Sequence, residues 1–213
     1  MKLPSKKDKK GKSRKRDLVE IGVILCIFAV LYFTGLHTDV AGFMQQALLK
    51  TGIHNADGSD MSDNYGKTDY NMTFHDAGGK EVKLAHYKNK VVFLNFWATW
   101  CPPCIAEMPD IQDLYADMEQ KGIVFVMVSM DENPEKAKSF LKKKGFQFPV
   151  YFPASQIPQE FSSNSIPTTF VIDPQGNIRF KKMGMANYDT QDFRNFLISL
   201  QKEELSLASK NLY

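Results

Sequence analysis

The feature that most constrains this chain is an apolar run, residues 91–97, that ends four residues before a Cys-x-x-Cys motif. Its only polar member is Asn95, so the run predicts a strand buried on both faces. The motif, Cys101-Pro-Pro-Cys104, is followed by apolar residues at helical spacing over 105–120. A buried strand that leads through two prolines into a helix predicts an α/β domain with both cysteines at the strand-to-helix junction.

The rest of the body predicts further strands and helices in alternation, followed by two strands joined by a tight turn. An interior proline in one short apolar run is typical of an edge strand. The predicted order is a hairpin over 71–84, strands at 91–97 and 123–129, a helix at 134–144, the short edge strand at 148–152, strands at 168–172 and 177–184, and a closing helix at 190–200. This order predicts a central mixed sheet flanked by helices on both faces, within a domain spanning residues 70–205 and followed by a C-terminal tail, 206–213.

The charge of the chain is concentrated at its start. Residues 1–16 hold nine Lys and Arg and one acid, a charge of +8, whereas the whole chain carries +3, so the remainder carries about −5. A nucleic-acid-binding domain would carry its positive charge on the folded body. The distribution therefore gives no reason to expect a nucleic-acid partner.

Residues 18–36 are apolar apart from Glu20, near their start. As a helix they would extend about 28 Å, roughly one hydrocarbon core of a bilayer. They predict an uncleaved transmembrane helix, a signal anchor, with a basic cytoplasmic tail at 1–17 and the chain after residue 36 exported. A cleaved secretory signal, a lipoprotein signal at Cys26 and a buried core helix are the alternatives, and only a weak cleavage site follows, at 40–42.

Residues 37–69 separate this predicted anchor from the body. Apolar residues at helical spacing over 39–50 are consistent with a short amphipathic helix at the lipid surface. Gly, Asn, Asp and Ser dominate from 52 to 70, which predicts a flexible linker.

The Cys-x-x-Cys spacing alone serves zinc, haem and redox sites. A zinc site needs four ligands, and the chain has no second Cys pair; covalent haem attachment needs a His after the second cysteine, where Ile105 stands. A cysteine nucleophile paired with His75 or His86 would require either histidine to fold back onto the motif. The remaining interpretation is a dithiol/disulfide pair, with no metal and no other cofactor.

The expected roles follow from the position of each cysteine. At the start of a helix, free N–H groups and the helix dipole favour the Cys101 thiolate, so Cys101 should attack and the more buried Cys104 should resolve the mixed disulfide. Glu107 lies three residues after Cys104, on the same helical face. It is either a partly desolvated base for Cys104 or a solvated surface glutamate, and the spacing does not decide between them.

With these residues in place, residues 70–200 resemble the thioredoxin superfamily, and more closely its TlpA/ResA-like membrane-anchored thiol–disulfide oxidoreductases. The similarity lies in the active-site stretch 96–104, in Glu107, in Pro109 within the helix and in the loop 165–170. The resemblance implies a thioredoxin-like fold with an N-terminal hairpin and a central insertion at 148–161. It also implies a cis bond before Pro167, and Asn95 departs from ordinary thioredoxins, which carry a buried acid there.

The resemblance further implies a function. It predicts a single-pass protein of the bacterial inner (cell) membrane whose periplasmic or extracytoplasmic domain reduces disulfides in exported proteins, with cytochrome c maturation as one such process, and is recharged by a membrane electron donor of the thiol-reducing type. The implied substrate-docking residues are Trp100, Pro102, Pro103, Ile166, Pro167 and Thr168. A non-catalytic binding or metal-delivery module and a peroxidase are the alternatives.

Overall fold

The computed structural model describes residues 13–34, 42, 45–46, 48–49, 52, 55–56, 60–62 and 65–210. Helix α1 spans Ser13–Thr34. Within the described ranges, no helix combines the length and the apolar character that crossing a membrane requires. The described residues do not include the tail at 1–12, residues 35–36 of the predicted anchor, most of the predicted amphipathic segment or residues 211–213.

Within the described residues, the body is built on one seven-stranded mixed sheet. The strands are β1 Thr73–Asp76, β2 Glu81–Lys83, β3 Val92–Trp97, β4 Val124–Ser129, β5 Val150–Pro153, β6 Thr168–Ile172 and β7 Ile178–Met183. Their order in the sheet is β2-β1-β5-β4-β3-β6-β7. Strands β3, β4 and β5 are parallel, whereas β1, β6 and β7 run antiparallel to their neighbours. The mixed sheet and the N-terminal hairpin of β1 and β2 are confirmed.

One buried cluster contains residues from three helices, α2 (Pro102–Met118), α3 (Pro134–Lys144) and α4 (Gln191–Lys210). That cluster also takes Phe93 and Trp97 from β3, while Val92, Leu94 and Phe96 enter a second cluster. Alternate residues of β3 thus supply two cores, which explains why the run is continuously apolar. Among the described residues, the second cluster contains none from α2, α3 or α4, so the prediction that helices flank both faces of the sheet is wrong for these three. Helix α4 continues to Lys210, so residues 206–210, predicted as tail, extend the helix.

The prediction that the strand at 148–152 lies at an edge of the sheet is wrong. Strand β5 begins at Val150, pairs with β4 on one side and with β1 on the other, and therefore lies inside the sheet. Pro149 precedes the strand, so its missing N–H removes no hydrogen bond from the ladder. The insertion continues through a short 3₁₀ turn at Gln159–Phe161.

The segment predicted as a flexible linker makes regular contacts with the body where it is described. We call residues 55–56, 60–62 and 65–68 the N-terminal strap. It forms isolated β-bridges from Met61 to Phe180, on the outer edge of β7, and from Lys67 to Asn177, the residue just before β7. Backbone groups of the strap are hydrogen-bonded to the body, an interaction that the polar composition of the segment does not predict.

Candidate active site

The two cysteines lie where β3 gives way to α2. Cys101 is the N-cap residue of α2, and Pro102 and Pro103 occupy the first helical positions, which need no internal N–H donors. The sulfurs of Cys101 and Cys104 are joined in a disulfide. Cys101 is 4% exposed and Cys104 is fully buried, so an incoming substrate reaches the first sulfur more readily.

The N-cap position also determines the acidity of Cys101. Its Sγ accepts a hydrogen bond from the Cys104 backbone N–H at 3.3 Å. In the reduced state, this N–H and the positive end of the helix dipole favour the thiolate of Cys101. The geometry therefore fits Cys101 as the attacking sulfur.

The loop before β6 lies against the disulfide. The Ile166–Pro167 peptide bond is cis, as the resemblance implies, and the Ile166 carbonyl oxygen lies 3.6 Å from Cys101 Sγ. Pro167 is buried, and its carbonyl oxygen accepts a hydrogen bond from the Gly184 N–H. Thr168 is fully buried in the sheet, and its hydroxyl donates to the Ser165 carbonyl at 2.7 Å.

The remaining predicted docking residues surround the cysteines. Trp100 is 59% exposed beside Cys101, and Pro102 and Pro103 are half-buried. Trp100 thus offers an exposed aromatic surface next to the disulfide. Of the loop residues, Ile166 is the one that combines partial exposure with proximity to Cys101.

Glu107 is fully buried, so the interpretation as a solvated surface glutamate is wrong. Its Oε1 accepts from Asn95 Nδ2 at 2.9 Å and its Oε2 from the Ala186 N–H at 3.3 Å. Burial raises the pKa of this carboxyl from 4.5 to about 8, although both hydrogen bonds lower it. Glu107 is therefore mostly protonated at neutral pH and can exchange a proton near the pH at which thiols ionise.

A polar network behind Glu107 was not predicted from the sequence. Asn95 Nδ2 also donates to Thr169 Oγ1 at 2.8 Å, and the buried Tyr188 hydroxyl donates to the same oxygen at 2.8 Å. Burial and the neighbouring Glu107 raise the pKa of Tyr188. A pairing of Thr169 with Asn95 across β3 and β6 would have indicated this network, but that register is not visible in the sequence.

A second unpredicted contact holds the loop that precedes Cys101. Asp131 accepts from the Thr99 N–H at 3.0 Å, from the Thr99 hydroxyl at 2.6 Å and from the Ser129 hydroxyl at 2.9 Å. Asp131 follows the end of β4, the parallel neighbour of β3. Since the carboxyl ends of parallel strands share one edge of a sheet, this position was a detectable signal.

Comparison with known proteins gives a consistent picture at the sequence level. Residues 66–181 match the model of the AhpC/TSA family. The chain is 31% identical over 168 residues to the thiol-disulfide oxidoreductase ResA of Bacillus subtilis, an alignment that covers 78% of this chain and 84% of ResA. It is 32% identical over 137 residues to ResA of Geobacillus thermodenitrificans, covering 64% of this chain and 78% of that protein.

Solved structures agree with the fold. A thiol:disulfide interchange protein of the thioredoxin family from Chlorobium tepidum matches with a TM-score of 0.55 and 28% identity, over 63% of this chain and 97% of the other. StoA from Bacillus subtilis matches with a TM-score of 0.50 and 24% identity, over 58% and 94%. The second likeness bears on the fold alone.

Proposed function

Because this chain belongs to the AhpC/TSA family and is a thiol–disulfide oxidoreductase of the ResA type, we propose that it reduces disulfides of exported proteins through Cys101 and Cys104. The observation that carries the proposal is the disulfide at the N-cap of α2, with one sulfur near the surface and a buried carboxyl three residues beyond the other. We expect apocytochrome c to be one client class, as the resemblance implies.

The proposed reaction moves two electrons from the dithiol to the substrate. The Cys101 thiolate attacks one sulfur of a substrate disulfide, forms a mixed disulfide with it and releases the other substrate sulfur as a thiolate. Cys104 then gives its proton to ionised Glu107 and attacks Cys101 Sγ. This step forms the Cys101–Cys104 disulfide and releases the second substrate thiolate.

The pKa of Glu107 suits this second step. With a value of about 8, the carboxyl has an ionised fraction at neutral pH and is a stronger base than an ordinary glutamate. Protonated Glu107 can return the proton when the disulfide is reduced again. The same group therefore serves both halves of the cycle.

Recharging requires an external reductant, since each turnover leaves the disulfide state. A membrane electron donor of the thiol-reducing type and an anchor at 18–36 are both part of the proposal. The anchor is supported by the apolar run and by the nine basic residues that precede it.

The test uses the reduced full chain in a Cys26→Ser background, so that Cys101 and Cys104 are its only thiols. Wild type should reduce insulin, Cys101→Ser should be inactive, and Cys104→Ser should accumulate a mixed disulfide with the substrate. A chain that reduces no insulin, or whose Cys101→Ser variant behaves like wild type, contradicts the proposal. Peroxide consumption without insulin reduction would instead indicate a peroxidase.

A further inference from the structure

The N-terminal strap contacts the loop at residues 186–188, which is hydrogen-bonded to Glu107. The Ala56 N–H donates to the Asn187 carbonyl oxygen at 3.0 Å, and Asn55 pairs with Asn187 in a parallel β-bridge. Ala56 is 2% exposed and belongs to the same buried cluster as Cys104 and Tyr188. The strap is thus part of the core at this point.

The other side of the same loop faces the carboxyl. Ala186, one residue before Asn187, donates its N–H to Glu107 Oε2, and Tyr188, one residue after, donates its hydroxyl to Thr169. Residues 186–188 lie beyond the end of β7 and outside the main ladder of the sheet. Their backbone is bridged instead to the strap.

The strap is also attached to the backbone and side chains of β7, by contacts outside this loop. The Ser62 N–H donates to the Arg179 carbonyl at 3.0 Å, and Lys182 Nζ lies 2.7 Å from Asp60 Oδ2. The chain upstream also borders α2, because a Cβ added at Gly42 would lie 3.0 Å from Cγ2 of Ile105. Contacts near the site can therefore be separated by mutation from contacts along β7.

We propose that the N-terminal strap forms the outer wall of the Glu107 site and that Ala56 is a positioning residue, acting on Glu107 through Asn187 and Ala186. The inference rests on the function proposed above, in which Glu107 exchanges a proton with Cys104. It gives the segment between the predicted anchor and the domain a part in the chemistry.

The consequence for titration follows from the groups that face Glu107. Asn95 donates to it from β3, Asp110 lies near it on α2, Tyr188 faces it from the loop, and Asp60 of the strap acts on Tyr188. Burial is the largest cause of the raised pKa of Glu107. Loosening the wall admits water, stabilises the carboxylate and lowers that pKa toward 4.5.

The experiment compares two proline substitutions in the full chain, each removing one strap N–H. Ala56→Pro removes the bond to Asn187 beside the site, and Ser62→Pro removes the matched bond to Arg179 along β7. The carboxyl carbon of Glu107 is followed by ¹³C NMR in the oxidised protein, where the cysteines do not titrate, and is assigned by its loss in Glu107→Gln.

We expect the midpoint of Glu107 to fall by about one pH unit or more in Ala56→Pro, a tenfold change in its ionisation constant, and to stay at the wild-type value in Ser62→Pro. A folded Ala56→Pro protein with the wild-type midpoint, or an equal fall in both variants, overturns the proposal. If Ala56→Pro does not fold, Ala56→Gln, a neutral side chain too large for this buried position, should lower the midpoint, and an unchanged midpoint in it refutes the inference.

The readout keeps the two hypotheses separate. The midpoint is measured without substrate, so it reports on the strap even if the protein reduces no disulfide. Conversely, insulin reduction by wild type with no response of Glu107 to Ala56→Pro would leave the proposed function intact and remove only the role of the strap.

Discussion

Replacing Glu107 by Gln should change how the stability of the oxidised protein depends on pH. The folded pKa of about 8 lies above the ordinary value of 4.5, so between these values the folded state binds a proton that the unfolded state has released. The contribution of Glu107 to the free energy of unfolding therefore falls as pH rises through this window, and it is complete only below about pH 4.5.

The size of the effect follows from the same two values. Each pH unit corresponds to about 1.4 kcal/mol, so the contribution of Glu107 should fall by up to about 5 kcal/mol between pH 4.5 and 8. Glu107→Gln lacks this proton. The oxygen of its amide can accept from Asn95, but the NH₂ group then faces the Ala186 N–H. This mismatch should lower the free energy of unfolding by about 1 to 3 kcal/mol at every pH, so it does not change the slope of stability against pH.

The assay is urea unfolding of the oxidised wild type and variant at pH 5, 6, 7 and 8. Oxidation removes the titration of Cys101 and Cys104. Asp113→Asn, on the exposed side of the same helix, is the matched control and should keep the wild-type slope. Parallel curves for wild type and Glu107→Gln would refute the argument, since they would mean that this carboxyl keeps an ordinary pKa in the folded protein.

Three further substitutions test the surroundings of the site. Asn95→Ala should raise the pKa of Glu107 above about 8, because the Asn95 hydrogen bond lowers it, and should move the pH profile of insulin reduction to higher pH; a shift to lower pH would contradict this. Asp131→Ala leaves the Thr99 N–H and hydroxyl without their acceptor and should cost about 2 to 4 kcal/mol in urea unfolding, whereas a cost below about 0.5 kcal/mol would contradict the contact. Tyr188→Phe keeps the ring and removes one buried hydrogen bond, so we expect a loss of about 1 kcal/mol, and an unchanged unfolding midpoint would contradict that bond.

The main sheet and the position of the cysteines could be predicted because their signals are local. The apolar run at β3 and the two prolines after Cys101 each act within a few residues of where they stand. The edge assignment of the strand at 148–152 failed because Pro149 lies just before β5, and a proline one residue outside a strand has no effect on its pairing.

The environment of Glu107 could not be predicted because it is not local. Spacing from Cys104 fixes the helical face that Glu107 occupies, but whether that face is dry depends on Ala186 and Tyr188, about eighty residues later in the chain. The linker composition was equally uninformative about the contact of Ala56 with Asn187. That contact is a hydrogen bond between backbone groups, which does not depend on the type of side chain.

The ends of the sheet bear on how this domain behaves at high concentration. An uncovered edge strand is a template for pairing with another chain and promotes aggregation. On one side, the strap bridges β7 at Met61 and the residue just before β7 at Lys67; on the other, β2 has only three residues, and Glu81 and Lys83 are exposed. Both edges are thereby made poor templates, so a variant that releases the strap should gain a tendency to self-associate through β7.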